Sequence, residues 1–241
     1  MENKYCKSII DLNELLFDAV IENDLEQAKL LIEQGADINA KDWEGSTPLH
    51  VVAFGNKNDK KPIELEVAKL LIEKGADVNA KNENRDDQTP LCYAARHNRV
   101  ELAKLLIEKG ADLNNDLNAV GYAVVNNNLE VADLLIKNGA KINVVSSWDG
   151  SSLLHIAAEY NNLEVAKFLI KKGLDVNIIN SYRYTPLHWA AEYNSPEVAE
   201  LLIKKAADVN AKNFNGFTPL HSAASTNSVE VAKLLKKHGG K

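Results

Sequence analysis

The sequence predicts an all-α solenoid of short helix-turn-helix repeats, and two observations carry that prediction. Thr-Pro-Leu-His stands at 47–50, 185–188 and 218–221, with altered copies between. A second pattern, of the type Leu-Glu-Val-Ala-Lys-Leu-Leu-Ile running into Gly-Ala-Asp-Val-Asn, starts at 25, 65, 100, 129, 163, 196 and 229. The segments in front of it start at 14, 47, 89, 118, 152, 185 and 218, so the steps are 33, 42, 29, 34, 33 and 33. A step held near 33 residues is a repeat period, and each repeat buries its apolar face only against its neighbours. A chain of 241 residues therefore need not split into two domains.

Each repeat carries its own start and stop signals. Thr47-Pro48 supplies a hydroxyl N-cap and a proline at the first helical position, where a missing N–H costs nothing. Leu49, Val52 and Ala53 then recur at helical spacing. Ser195-Pro196 opens a second helix in the same way. In repeat five Leu163, Val165, Ala166, Leu169 and Ile170 form the apolar stripe of that helix, with Glu164 and Lys167 on the wet face. Gly173 closes it at the left-handed C-cap position, a place taken in repeat six by Ala206.

These letters (T-P-L-H, an alanine soon after, L-L-I, then G-A-D-V-N) resemble the ankyrin repeat. The resemblance implies a single domain over 12–241, with repeats at 12–41, 42–81, 82–114, 115–146, 147–179, 180–212 and 213–241, behind an N-terminal arm at 1–11. It also implies that the polar stretches between repeats, such as 40–46, are β-hairpin fingers projecting from the helix pairs. Fingers and first helices would lie on a concave side and second helices behind it.

The irregularities are local. Repeat two gains seven residues at 58–64, read as a mobile loop. The finger before repeat three is two residues long in excess and has Asp87 in place of glycine, while the finger before repeat four is four residues short and its motif decays to Asn118-Ala119-Val120-Gly121. A kink or softer interface is expected over 110–125. Repeat seven has Lys236 where inner repeats have isoleucine, and repeat one has Asp18 at an inner apolar place, so both read as caps.

Composition excludes several function classes. No window reaches the roughly 18 apolar residues of a membrane span, and the first residues lack the pattern of a cleaved signal peptide. Cys6 and Cys92 make no disulfide framework, which suits a reducing, cytoplasmic setting. A formal charge of -6 disfavours nucleic acid. Abundant asparagine and lysine read as the coding bias of an AT-rich genome, and a bacterial effector acting in a host cytosol would fit that bias together with this repeat. No nucleotide-binding glycine motif is present and no cofactor is expected. His50, His155, His188 and His221 fall at one register of successive repeats, which packing holds about 8 to 10 Å apart, so no two can share a metal ion. They read as structural, each bonded to the backbone of its own finger. Cys92 takes this place in repeat three, and five residues of helix put it on a different face from His97, so no catalytic dyad and no enzyme is expected.

The aromatic residues are the candidate site. Trp43, Trp148, Tyr182, Tyr184, Phe214 and Phe217 fall in fingers; Phe54, Tyr160 and Tyr193 fall at the exposed ends of first helices; Trp189 reads as half-buried. In proteins that this chain resembles, such positions contact partner proteins, and large aromatics suit binding hot spots. The competing reading is that finger aromatics pack on neighbouring fingers. The expected function is a non-catalytic protein-binding module, monomeric by itself. Its surface comprises these aromatics other than Trp189, with Glu44, Ser46, Arg96, His97, Asp149, Glu159, Arg183 and Glu192, and its acidic balance favours a basic partner. Two alternatives stay open: a scaffold or targeting segment of a longer protein, or a substrate of an asparaginyl hydroxylase at Asn39, Asn79, Asn177 and Asn210, which occupy the Asp-Val-Asn place that the resemblance implies for it.

Overall fold

The computed structural model describes residues 11–55, 65–83, 87–114, 119–146 and 148–241. Among these are fourteen helices in seven pairs, and no strand: α1 (Leu12–Glu22) with α2 (Leu25–Glu33), α3 (Pro48–Phe54) with α4 (Leu65–Glu73), α5 (Pro90–Arg96) with α6 (Val100–Glu108), α7 (Ala119–Val125) with α8 (Leu129–Lys137), α9 (Leu153–Glu159) with α10 (Leu163–Lys171), α11 (Pro186–Glu192) with α12 (Pro196–Lys204), and α13 (Pro219–Ser225) with α14 (Val229–Lys237). Two compact units, Met1–Ala119 and Val120–Lys241, divide the chain within the decayed motif. The loop at 58–64, the arm at 1–10 and the shortened finger at 115–118 lie outside the described residues.

Seven-residue helices are too short to be stable alone, so their ends and packing hold them. Thr47, Ser152, Thr185 and Thr218 form capping boxes in which the third helical residue is the motif histidine. Leu49 and Leu91 in the first unit, and Leu154 and Leu187 in the second, are fully buried from first helices. Leu31, Leu71 and Leu106, then Leu135, Leu169, Leu202 and Leu235, do the same from second helices. Fully buried alanines such as Ala68, Ala103, Ala166 and Ala199 let these helices pack closely. Of the predicted stripe on α10, Val165, Ala166 and Leu169 are buried, and Leu163 and Ile170 are half-buried. Glu164 and Lys167 form a 2.7 Å ion pair on the wet face, as their spacing predicts.

Asparagine has a structural use that a compositional reading misses. Between the two helices of a pair stands an asparagine with left-handed φ: Asn23, Asn98, Asn127, Asn161, Asn194 and Asn227, all between +50° and +59°. Asparagine tolerates this region better than most residues because its short amide bonds locally. A second set links successive repeats. Asn39 donates Nδ2 to Gly75 O at 3.2 Å and accepts the Asp77 N–H at 2.9 Å. Asn79 does the same with Gly110 O and the Asp112 N–H, Asn177 with Ala206 O and the Asp208 N–H, and Asn210 with Gly239 O and the Lys241 N–H. Each amide thus closes an orphan carbonyl at one helix C-terminus and orders the turn after it. Coding bias alone does not explain the asparagine content.

The histidines correct the sequence reading. Nδ1 of His50 accepts the Thr47 backbone N–H at 3.1 Å, and the Thr47 hydroxyl lies 2.9 Å from the same nitrogen. A nitrogen that accepts an N–H carries no proton, so Nε2 is the donor, and it reaches Gln88 O at 3.0 Å. Gln88 belongs to the next finger, not to the histidine's own. His155 reaches Tyr184 O at 2.9 Å and His188 reaches Phe217 O at 3.0 Å in the same way. The physical reason is reach: Nδ1 is committed to the local cap, and Nε2 points away from it along the stack. His221 in the last repeat keeps the Thr218 contact and is exposed.

Two expected outcomes follow from this framework. Ala206 has φ +65° at the place where Gly173 has +95°, and no atom lies within 4 Å of where a Cβ on Gly173 would stand, so the strain at Ala206 is backbone alone. Ala206→Gly should stabilise by about 1 kcal/mol, a rise of about 2 to 4 °C in thermal midpoint; a lower midpoint would refute it. Burial, outweighing the opposing hydrogen bond to the neighbouring carbonyl, holds His50, His155 and His188 below their ordinary pKa near 6.5. The unfolded chain therefore takes up protons first. Stability from these sites is complete above about pH 6.5 and falls as pH drops towards the lowered folded values, by at most about 1.4 kcal/mol per pH unit for each histidine. Urea midpoints at pH 7.5, 6.5 and 5.5 should fall more steeply in the wild type than in His188→Gln; parallel slopes would count against this account.

Candidate functional site

The fingers are tight turns built on one polar residue. Asp42 Oδ1 accepts the Glu44 and Ser46 N–H groups at 2.9 and 2.8 Å. Asn180 Oδ1 takes those of Tyr182 and Tyr184 at 3.0 and 2.9 Å, and Asn213 Oδ1 those of Asn215 and Phe217 at 2.9 and 3.0 Å. One backbone bond closes each: Asp42 N to Ser46 O, Asn180 N to Tyr184 O and Asn213 N to Phe217 O. Among the described residues, isolated antiparallel bridges, Asn82 with Gln88 and Val145 with Ser152, stand where β-hairpins are expected. The residue before the closing one is left-handed, with Gly45 at +81°, Gly216 at +76°, Asp87 at +54° and Arg183 at +61°.

Neighbouring fingers in the second unit are tied backbone to backbone. Ser181 N donates to Asp149 O at 2.8 Å, and Phe214 N donates to Tyr182 O at 3.2 Å. Glycine suits position 150, because its φ is +70° and a Cβ on it would stand 3.3 Å from the Ser181 backbone nitrogen and 2.8 Å from Ser181 Oγ. A side-chain tie runs alongside, with Asn180 Nδ2 donating to Ser151 Oγ at 3.2 Å; in the first unit Asn82 Nδ2 donates to Ser46 Oγ at 2.7 Å. The equivalent serine position before Asn213 is Tyr184. Asn213 is 4% exposed and its Nδ2 has no acceptor.

This geometry sorts the sequence-predicted residues, which fall into one group in each unit. In the second unit Trp148, at 94% exposure, Tyr182 and Phe214 stand out from three successive fingers. Tyr160 and Tyr193, the C-caps of α9 and α11, are also exposed. Burial pushes the Tyr193 hydroxyl up from its ordinary value, and the charges of Glu159 and Glu192 and the Tyr160 hydroxyl add to it, so these four side chains form one acidic, aromatic cluster. Trp189 is half-buried as expected, its ring centroid 5.5 Å from His155 and 5.9 Å from Tyr193. Tyr184 lies against the bridging His188 of its own repeat at 5.3 Å, and Phe217, itself exposed, stacks on His221 at 5.7 Å. Those two pack on a histidine of their own repeat, not on a neighbouring finger. Asp149 bonds Ser151 through Oγ at 2.6 Å and N–H at 3.0 Å; burial pushes its carboxyl up, but these bonds and one from Ser146 prevail and hold it below the ordinary range. Its charge is spent on shaping the finger.

In the first unit Trp43 is 87% exposed and Phe54 ends α3, its ring 4.8 Å from His97. Glu44, Arg96 and His97 are half-buried. Ser46, expected at the surface, is 6% exposed because its hydroxyl serves the finger tie. The asparagines read as hydroxylation substrates are the inter-repeat ladder residues. The residues that sequence reasoning missed are Asp42, Asn180 and Asn213, and their signal was spacing: each stands five residues before the motif threonine.

A model of ankyrin repeats in three copies matches residues 16–116, 64–146, 120–213 and 154–241, which together span nearly the whole chain. The chain belongs to the ankyrin-repeat family. The crystal structure of the human ASB11 ankyrin repeat domain is similar, with a TM-score of 0.75 and 28% identity over 92% of this chain and 96% of that one. A search of curated proteins finds no match. Ankyrin repeats are in general protein-protein interaction modules, and the fold is typically non-catalytic. Against the ankyrin scaffold of this chain, finger 180–184 departs twice from what its neighbours do: Arg183 stands in left-handed φ where three other fingers have glycine (Gly45, Gly150 and Gly216), and Tyr184 replaces the serine that would pair the Asn213 amide. Arg183→Gly should raise stability by about 1 kcal/mol by releasing backbone strain, and Tyr184→Ser by less, because the acceptor it supplies is offset in part by loss of the ring packed on His188. Denaturant midpoints of the two single variants and the double test this, and a midpoint below wild type in both singles would overturn it.

Proposed function

We propose that this ankyrin-repeat chain is a non-catalytic recognition module that binds a partner protein through the second unit's fingers and first-helix ends. Trp148, Tyr182, Phe214, Tyr160 and Tyr193 would supply the aromatic contact, with Arg183 and the pair Glu159 and Glu192 setting register. The observation that carries the reading is finger 180–184. It holds a strained arginine and forgoes one tie to its neighbour, and what it gains is a cation beside an exposed tyrosine. Departures from local scaffold rules concentrate at functional sites. Exposed aromatics rimmed by charge match hot-spot composition, and two carboxylates among the tyrosines favour a basic surface on the partner.

Tyr160→Ala with Tyr193→Ala should lower capture of the partner at least tenfold while helicity is unchanged. Arg183→Gly should weaken capture while raising the thermal midpoint, a combination that a purely structural role for the finger does not give. Unchanged capture by the tyrosine double variant would remove this surface from consideration.

A further inference from the structure

Two neighbouring first helices, α9 and α11, end alike. They finish on Glu159 and Glu192 and are capped by Tyr160 and Tyr193, whereas α7 finishes on Val125, and α13 finishes on Ser225 with Thr226 as its cap. The tyrosines are exposed, at 70% and 50%, and the carboxylates beside them are half-buried. Trp189 lies between the helices, its ring 5.5 Å from His155 on α9 and 5.9 Å from Tyr193, so the two pairs share an aromatic ledge. Neither carboxylate is in an ion pair among the described residues: Lys137, Lys167, Lys172 and Lys204 pair with Asp133, Glu164 and Glu200, all on second helices. Burial raises the Tyr193 hydroxyl, and the charges that add to the rise, Glu159 and Glu192, are both negative.

The ledge is also held in place. Asn161, next to Tyr160, donates Nδ2 to the Glu197 carboxylate and accepts the Val198 N–H at 3.2 Å, which ties the end of α9 to the start of α12. The Ser228 hydroxyl donates to Glu192 O at 3.4 Å, which ties the end of α11 to the next repeat. A surface ordered beforehand loses little freedom on binding.

We infer that this ledge binds an extended basic segment of a partner protein, with lysine or arginine at two positions three residues apart. The inference rests on the reading of the second unit as a recognition surface and names that surface's ligand. Helices in contact lie about 8 to 10 Å apart, so the two Glu-Tyr pairs stand about one such step from each other. A polyproline II segment has three residues per turn and rises about 3.1 Å per residue, so side chains i and i+3 leave from one side about 9 Å apart. In a β-strand i and i+3 face opposite ways, and i and i+2 are only about 7 Å apart. On the ledge each cation meets one carboxylate while its apolar stem lies along a tyrosine ring. Because α7 and α13 lack the pair, the ledge matches two cations and not a longer basic run.

The test uses the full chain and three capped peptides on one proline-rich scaffold: lysine at i and i+3, lysine at i and i+2, and lysine at i with norleucine at i+3. In calorimetric titrations the i, i+3 peptide should bind roughly fivefold tighter than the i, i+2 peptide of equal charge, and roughly tenfold tighter than the single-lysine peptide. Glu159→Gln and Glu192→Gln, exchanges that keep side-chain size, should each weaken the i, i+3 peptide roughly fivefold with circular dichroism unchanged. Equal binding of the two dilysine peptides, which is what attraction to the net charge alone gives, would overturn the inference, as would undiminished binding in either variant. Partner capture that is lost in Tyr160→Ala with Tyr193→Ala but kept in Glu159→Gln with Glu192→Gln would overturn the two-cation ligand and leave the recognition surface standing, so the two failures are separable.

Discussion

An imidazole with one nitrogen on its own helix cap and the other on the next repeat's finger is the bond from which the rest of this structure follows. In the first unit it joins Thr47 to Gln88, and in the second it joins Ser152 to Tyr184 and Thr185 to Phe217. The carbonyl it satisfies is the same group that closes each finger turn, accepting from Asn82, Asn180 or Asn213 N. One buried acceptor therefore receives two donors, and finger shape and finger position are fixed together. Both nitrogens must be in the neutral form for this to work, because a proton on Nδ1 would face the Thr47 N–H. Burial enforces that form, which is why the same bond that orders the fingers also makes stability depend on pH. At Cys92 a shorter group ending at Sγ, 3.5 Å from the Thr89 hydroxyl, stands in place of the ring.

Contiguous features were legible in the sequence and long-range ones were not. Thr-Pro-Leu-His could be read because its parts act on one another within four residues: cap, proline at the first turn, core leucine, third-position histidine. The far partner of the histidine could not, because a backbone carbonyl is supplied by any residue, here Gln88, Tyr184 and Phe217. The asparagines illustrate the same limit. Asn39, Asn79, Asn177 and Asn210 bond partners 29 to 38 residues away, and nothing local distinguishes such an amide from a solvated one. A periodic count would have done so, since among the described residues a left-handed asparagine recurs in six repeats and a ladder asparagine in four.

For the candidate site, position was legible and engagement was not. Register from the motif threonine placed Trp43, Trp148, Tyr182 and Phe214 at exposed fingertips, and that is where they stand. The same register could not separate them from Tyr184 and Phe217, which lie four residues before a motif histidine and pack on it. Four residues is the spacing that brings side chains together across a helix start, so the signal existed but pointed inward. Ser46 is buried for a related reason: a short polar group in a turn finds its partner in the turn or the next finger before it meets solvent, as Asp149 also does with Ser151.

Strain alone does not mark function in this chain, and the three unusual left-handed residues show why. Asp87 is of a type that tolerates positive φ, so it costs little. Ala206 is of a type that does not, but it sits at a helix C-terminus and presents only a methyl group to solvent. Arg183 bears the same backbone cost as Ala206 at the tip of a finger, next to Tyr182 and to a residue whose aromatic ring leaves the Asn213 amide unpaired. If drift accounted for all three, departures of cost and departures of exposed chemistry would fall independently of one another. In finger 180–184 they coincide, and the glycine and serine that neighbouring fingers use would remove both costs together with the cation and the ring. The concentration of cost where a charged and aromatic edge is presented, rather than strain as such, is the ground on which the proposed recognition surface is centred on that finger.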